Sequence, residues 1–341
     1  MKIAIVNDSI IATEVLRRII LSCPDHELLW AAQNGAEALM HCNHELPDLI
    51  LMDLIMPVMD GVEATRRIMQ QTPCAILIVT ASVTGNSSMV FEAMGAGALD
   101  VVATPALSPH LANNSVNELI RKIQIIAKLT DCDRVKSSHS HNSSGVKQKS
   151  TRNNTLIAIG ASTGGPKALA HILSCLPKDF PASIVVIQHM DKRFTSGLAE
   201  WLGQQISLPV DIIANGDRPQ KSKVKIPVTD NHLVMSKSGT LTYTLDPLDN
   251  FYHPSVDVFF HSITWNWYGK IIGVVLTGMG KDGANGLLAI KEKDHHTIVQ
   301  DEESSIVYGM PKAAAANGSA KEILPLNQIG LRLLSLVDQI S

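Results

Sequence analysis

The chain is 341 residues long, 45% hydrophobic, with a formal net charge of −3, enough for two domains that each bury a full core. The acidic balance argues against a nucleic-acid binder, and the five cysteines (Cys23, Cys42, Cys74, Cys132, Cys175) are scattered without metal-ligand spacing or a disulfide framework. No apolar run reaches the ~18–20 residues of a membrane span, and the N-terminus runs straight into the strand-like Lys2–Val6 without an export signal, so a soluble cytoplasmic protein is expected, with no direct membrane insertion.

In chain order, apolar strand-like runs at Ile3–Val6, Leu28–Ala32, Leu49–Met52, Ile76–Thr80 and Leu99–Val102 alternate with helix-like stretches, the last at Ser115–Lys128. That alternation predicts a doubly wound α/β domain with a parallel sheet over residues 1–130, and such sheets carry their sites at the carboxyl ends of the strands. Asn7 and Asp8, Asp53 and Thr80 end the first, third and fourth strands and are expected at one edge. Two carboxylates there repel each other, a cost that a hard divalent cation such as Mg²⁺ removes, and an aspartate held beside the metal can accept a phosphoryl group. Residues 131–154 are polar and serine-rich, with five basic and two acidic side chains. They bury too little to offset ordering entropy and read as a linker.

From Thr155 the pattern resumes as a second α/β domain to residue 341, with strand-like runs at Thr155–Ile159, Ser183–Ile187, Val210–Ala214, Val224–Val228 and Lys270–Leu276. Helical periodicity covers Ser196–Gln205, Val256–Trp267 and Ala284–Lys291, and Ser238-Gly239 turns a hairpin between Leu233 and Leu245. The run Gly160-Ala-Ser162-Thr163-Gly164-Gly165-Pro166 is a sharp strand-to-helix turn with a serine at its corner. By itself it has two readings, a phosphate cradle at a helix start or a nucleophile beside oxyanion donors.

His189 follows the second strand of this domain and Asp282 follows the strand at Lys270–Leu276. If both strands flank the one leading to Ser162, a nucleophile, a base and an orienting carboxylate meet. The amides near Thr163 and Met279 are then the oxyanion donors. Asp257 is a competing carboxylate, placed at a helix start where capping or support is expected. His253, His261, His295 and His296 lack comparable glycine-framed loops and are expected at the surface or in packing. The rival from another class is a non-catalytic two-domain signalling adaptor whose glycine-rich loop at Ser162 binds phosphate.

The first domain resembles a response-regulator receiver through Val6-Asn7-Asp8-Ser9, Met52-Asp53-Leu-Ile55-Met-Pro57-Val-Met-Asp60-Gly61 and Gly95-Ala-Gly97-Ala. The resemblance implies Asp53 as phosphoacceptor, Asp8, Asp53 and the Ile55 carbonyl as Mg²⁺ ligands, and Thr80 as the switch hydroxyl. Asn7 stands where an acid is usual, and Thr104 where a lysine is usual. The second domain is similar to the catalytic domain of chemotaxis protein-glutamate methylesterases through Gly160-Ala-Ser162-Thr-Gly-Gly, Gln188-His189-Met190, Pro254-Ser-Val-Asp257, Thr277-Gly-Met279-Gly-Lys-Asp282-Gly and Tyr308-Gly-Met-Pro311. It implies a Ser162, His189, Asp282 triad, oxyanion donors at Thr163 and Met279, and no cofactor for ester hydrolysis. It further implies chemoreceptor cytoplasmic domains as substrate, methanol and deamidated glutamines as products, and a chemotaxis-type histidine kinase as phosphodonor. Pro73-Cys74-Ala-Ile-Leu-Ile-Val-Thr80 and the run after Met56 are most similar to the Wsp-type surface-sensing branch. His253 stands where an arginine is common.

Overall fold

A computed structural model describes residues 1–81, 87–105, 112–130 and 154–339; the expected linker lies outside the described residues except for Asn154. The first part is a five-stranded parallel sheet in the order β2-β1-β3-β4-β5, built from β1 (Lys2–Val6), β2 (Glu27–Ala32), β3 (Leu49–Met52), β4 (Ala75–Thr80) and β5 (Asp100–Ala103). Around it lie α1 (Ile10–Leu21), α2 (Gly35–His44), α3 (Gly61–Gln71), α4 (Ser87–Ala96) and α5 (Ala112–Thr130). The helix starts follow from local chemistry. Ser9, Asn34 and Asp60 cap α1, α2 and α3 by accepting otherwise unpaired amides of the first turn. The last strand sits one residue later than its apolar run, because Asp100 enters the sheet as a buried charge.

The second part is a seven-stranded sheet, all parallel, in the order β14-β13-β12-β6-β7-β9-β8, with a two-stranded antiparallel ribbon beside it. Its strands are β6 (Thr155–Ala161), β7 (Ala182–Gln188), β8 (Val210–Ile212), β9 (Lys223–Ile226), β12 (Lys270–Val275), β13 (His296–Gln300) and β14 (Glu322–Leu324). The ribbon pairs β10 (His232–Met235) with β11 (Leu241–Thr244), where the hairpin was expected. The helices are α6 (Gly165–Ser174), α7 (Lys192–Gln205), α8 (Val256–Asn266), α9 (Ala284–Glu292), α10 (Met310–Ala316) and α11 (Leu326–Asp338). Strands β6, β7 and β12 are buried along nearly their whole length, which is why they read as continuous apolar runs. β13 and β14 went unread because His296-Thr-Ile-Val-Gln300 is short and half polar, and Glu322–Leu324 has three residues.

The central strand β6 is flanked by β7 and β12, the arrangement that brings three strand ends together. The two sheets also share a packed boundary. Helix α4 lies against α7, with the buried Phe91 and Trp201 rings 5.9 Å apart, and burying two large aromatics stabilises such a contact by a few kcal/mol. Beside it, Lys122 of α5 forms an ion pair with Asp100 at 2.8 Å, both side chains about nine-tenths or more buried, and donates to the Val101 carbonyl at 2.6 Å.

A buried ion pair broken on one side leaves an uncompensated charge. Lys122→Ala should therefore lower the unfolding free energy by about 3 kcal/mol in urea denaturation, and Asp100→Asn in the same chain should restore most of it.

Candidate active site

The three expected catalytic residues lie at neighbouring strand ends, as the sheet order requires. Ser162 follows β6, its amide donates to the Thr277 carbonyl at 3.1 Å, and Gly278 lies so close that a Cβ there would stand 2.7 Å from the serine Cβ. His189 follows β7 and Asp282 follows β12, and the imidazole Nε2–H donates to the Asp282 carboxylate at 2.8 Å.

Asp282 is the most heavily coordinated side chain of the site. Besides His189 it accepts from the Ser255 hydroxyl (2.8 Å) and from the amides of Val256 (2.7 Å) and Asp257 (3.0 Å) at the start of α8. Burial pushes its carboxyl up, but His189 and the amides outweigh that and hold it below the usual carboxylate range. It is anionic at neutral pH, fixes the proton on Nε2, and leaves Nδ1 as an acceptor. Nδ1 is buried and makes no hydrogen bond. Ser162, Thr163, His189 and Met279 line one cavity of about 520 Å³. Among the described residues, no protein acceptor takes the Thr163 or Met279 amide, so both remain able to donate to an oxygen in that cavity.

Asp257 does not compete for the histidine. Its carboxylate accepts from the Gly286 amide at 2.6 Å and ties α8 to α9, and burial raises it. His253 lies at the surface as expected, where it stacks on the buried His232 at 4.5 Å and adds to the lining of the cavity. Ser255 and Tyr252 were not foreseen. Ser255 had a signal, as a serine opening a helix beside a suspected carboxylate. Tyr252, which stacks on His189, had none beyond its neighbours.

The cavity has a second wall. Asp100, Asn117, Glu118, Arg121 and Lys122 of the first part line it too. The Leu99 carbonyl accepts from the Gly164 amide (3.1 Å) and Asp100 accepts from the Thr163 hydroxyl (2.9 Å).

At the other sheet, Asn7, Asp53 and Thr80 follow or end β1, β3 and β4, which are adjacent. The Asn7 amide donates to Asp53 at 3.1 Å. Burial pushes Asp53 up to about 6, opposed by the Leu54 amide and reinforced by Asp8.

The arrangement defines a serine hydrolase whose cleft is closed on one side by a receiver-like sheet. The sequence matches the CheB methylesterase family over residues 157–333 and the response regulator receiver domain over residues 3–114; the chain belongs to the CheB methylesterase family. It is similar to a "protein-glutamate methylesterase/protein-glutamine glutaminase 1" of Pseudomonas fluorescens, 52% identical over 98% of this chain and 99% of that one. A "group 3 operon" counterpart from Pseudomonas putida is 51% identical over 98% of each chain. The crystal structure of the Thermotoga maritima CheB methylesterase catalytic domain is 38% identical, covers 53% of this chain and 97% of its own, and has a TM-score of 0.50.

Asp53 has a raised folded-state value, so its ionisation opposes folding. The penalty is absent below about 4, where the unfolded carboxyl is also protonated, and complete above about 6. Asp53→Asn should stabilise the first domain by about 1–2 kcal/mol at pH 7.5, allowing for its partial exposure, and the gain should vanish when denaturation is repeated below pH 4.

Proposed function

We propose that this chain hydrolyses glutamate methyl esters on the cytoplasmic domains of methyl-accepting chemoreceptors, releases methanol, deamidates receptor glutamines, and is gated by phosphorylation of its receiver. Residues 1–130 form the receiver, 131–154 the linker and 155–341 the hydrolase. One observation carries the catalytic reading: Asp282, charged and held by four donors, binds His189 through Nε2 and leaves Nδ1 unengaged beside the cavity that holds Ser162.

In the forward step Nδ1 removes the Ser162 proton as Oγ attacks the ester carbonyl. The oxyanion that forms is met by the Thr163 and Met279 amides, a class of donor worth about 10²–10³ in rate. The imidazolium, stabilised by Asp282, returns its proton to the departing methoxide, which leaves as methanol. Water, deprotonated by the same nitrogen, then attacks the acyl-serine, and the collapse restores Ser162 and yields the glutamate carboxylate. A glutamine side chain follows the same course with ammonia as the leaving group. The non-catalytic adaptor is set aside, because curated relatives about half identical over nearly the whole chain carry the enzyme's name, and Ser162 shares its cavity with His189.

At the receiver, Asp8, Asp53 and the Ile55 carbonyl would hold Mg²⁺. The donor set fits, since the Asp8 charge raises Asp53 and a hard cation relieves that repulsion. When bound, the metal neutralises charge on the incoming phosphoryl group. A histidine kinase of the chemotaxis type is the phosphodonor. The gating route is short: Asp53 follows β3, β3 pairs with β4, and β4 pairs with β5, whose first residue Asp100 grips Thr163. A dianion on Asp53 that shifts this boundary by ~1.4 kcal/mol changes cleft opening tenfold.

Ser162→Ala should abolish both methanol release and labelling by a fluorophosphonate while the thermal unfolding profile stays unchanged; retained activity would refute the triad. Adding a small-molecule phosphodonor to the full chain should raise methanol release about tenfold or more, and Asp53→Ala should abolish that response. If phosphodonor leaves the rate unchanged while deletion of residues 1–130 raises it, Asp53 does not operate the gate.

A further inference from the structure

We propose that Tyr252 is a positioning residue for this hydrolysis, acting on the base and on the oxyanion loop at once; the inference rests on the Ser162–His189–Asp282 reading. The hydrogen bond to Asp282 anchors the imidazole at one atom and leaves the ring free to roll about that contact. Tyr252 removes this freedom. Its ring lies face to face with His189, with centroids 4.6 Å apart and planes within 9°. A flat surface of that kind fixes the plane in which Nδ1 lies, and it also favours the imidazolium that forms during attack, because the ring face carries partial negative charge.

The other end of the side chain meets the loop that carries Met279. Gly280 has φ +85°, and a Cβ on it would stand 2.0 Å from the Tyr252 hydroxyl oxygen and 3.1 Å from the ring carbon bearing it. Only a glycine allows the tyrosine to close on the loop, so one rigid ring spans the distance between base and oxyanion donors. The ring is held from outside as well. Phe251 packs edge-on against it at 5.1 Å and 84°, and Arg121 of the receiver sits 5.6 Å above the Phe251 ring. Burial pushes the hydroxyl up while Arg121 pulls it down, and the net shift is upward, so the group stays neutral.

The chain order fits the same role. Tyr252 stands three residues before Ser255, which donates to Asp282, so one short stretch holds the carboxylate from one side and the imidazole from another. A misplacement of the base by about 1 Å is enough to cost ~10²-fold in rate.

The test uses the full-length protein with phosphodonor present, and compares Tyr252→Phe, which keeps the ring, with Tyr252→Leu, which keeps apolar bulk. Tyr252→Phe should stay within about threefold of the parent. Tyr252→Leu should lose about 10–100-fold in kcat, with KM changed less than about threefold. It should slow fluorophosphonate labelling of Ser162 in parallel and broaden the downfield proton resonance of the His189–Asp282 hydrogen bond, a signature that a merely structural role would not move. Parent-like kcat in Tyr252→Leu overturns the inference, as does an equal loss in Tyr252→Phe. Ser162→Ala run alongside separates the cases: activity surviving there means that the triad reading has failed, whereas its loss with a silent Tyr252→Leu refutes the brace alone.

Discussion

The site depends on one buried carboxylate. Asp282 is 4% exposed, and a charge so placed is tolerated only when hydrogen bonds replace its lost water. Four donors do so, and each donor fixes a different part of the molecule. The amides of Val256 and Asp257 set the start of α8, the Ser255 hydroxyl sets the turn before it, and the His189 imidazole is drawn to the end of β7. Satisfying the carboxylate therefore fixes the His189 imidazole. The positive end of the α8 dipole adds to the same anion, so the helix is as much a part of the charge balance as the histidine.

Thr163 joins the two parts of the chain through a few atoms. Its hydroxyl goes to Asp100 of the receiver, its carbonyl accepts from Thr277 in the opposite loop at 3.0 Å, and its amide faces no protein acceptor among the described residues. One residue is thus bound to the receiver on one side and to the loop before Met279 on the other. Lys122 neutralises Asp100 on the far side of that contact, so the receiver approaches the Ser162 turn with a paired charge and at lower desolvation cost than a bare carboxylate would carry.

Much of this was legible in the sequence, and the reasons are local. The long buried strands β6, β7 and β12 announced themselves as apolar runs, and each ended in a chemically distinct loop, so Ser162, His189 and Asp282 could be placed at one edge once a parallel sheet was inferred. Which strands are neighbours was not local, and the order β12-β6-β7 was a condition of the reading until the pairing was seen. Tyr252 and Ser255 were harder, because their contacts are with His189 and Asp282, 63 and 27 positions away. β13 and β14 were missed for a different reason. They lie toward one edge of the sheet, where short strands with polar members suffice.

The receiver's two departures from its family pattern acquire a physical sense together. Asn7 is buried where an acid is usual, donates to Asp53 and accepts the Ser9 amide at 2.8 Å. It thereby lowers the negative charge around Asp53, which already carries burial and the Asp8 charge. A smaller anionic cluster attracts a divalent cation less strongly, but it also opposes an incoming phosphoryl dianion less. Thr104 supplies no cation to that dianion; its amide donates to the Thr80 carbonyl at 2.9 Å. In the proposed phosphorylated state the phosphoryl group would then depend on the Thr80 hydroxyl and the amides after Asp53, with a divalent cation supplying the charge that the lysine would have brought. Those amides belong to the turn between β3 and α3, so charge that a lysine side chain would have met is passed to backbone. That turn follows β3, β3 pairs with β4, and β4 pairs with β5, which begins with the residue that grips Thr163.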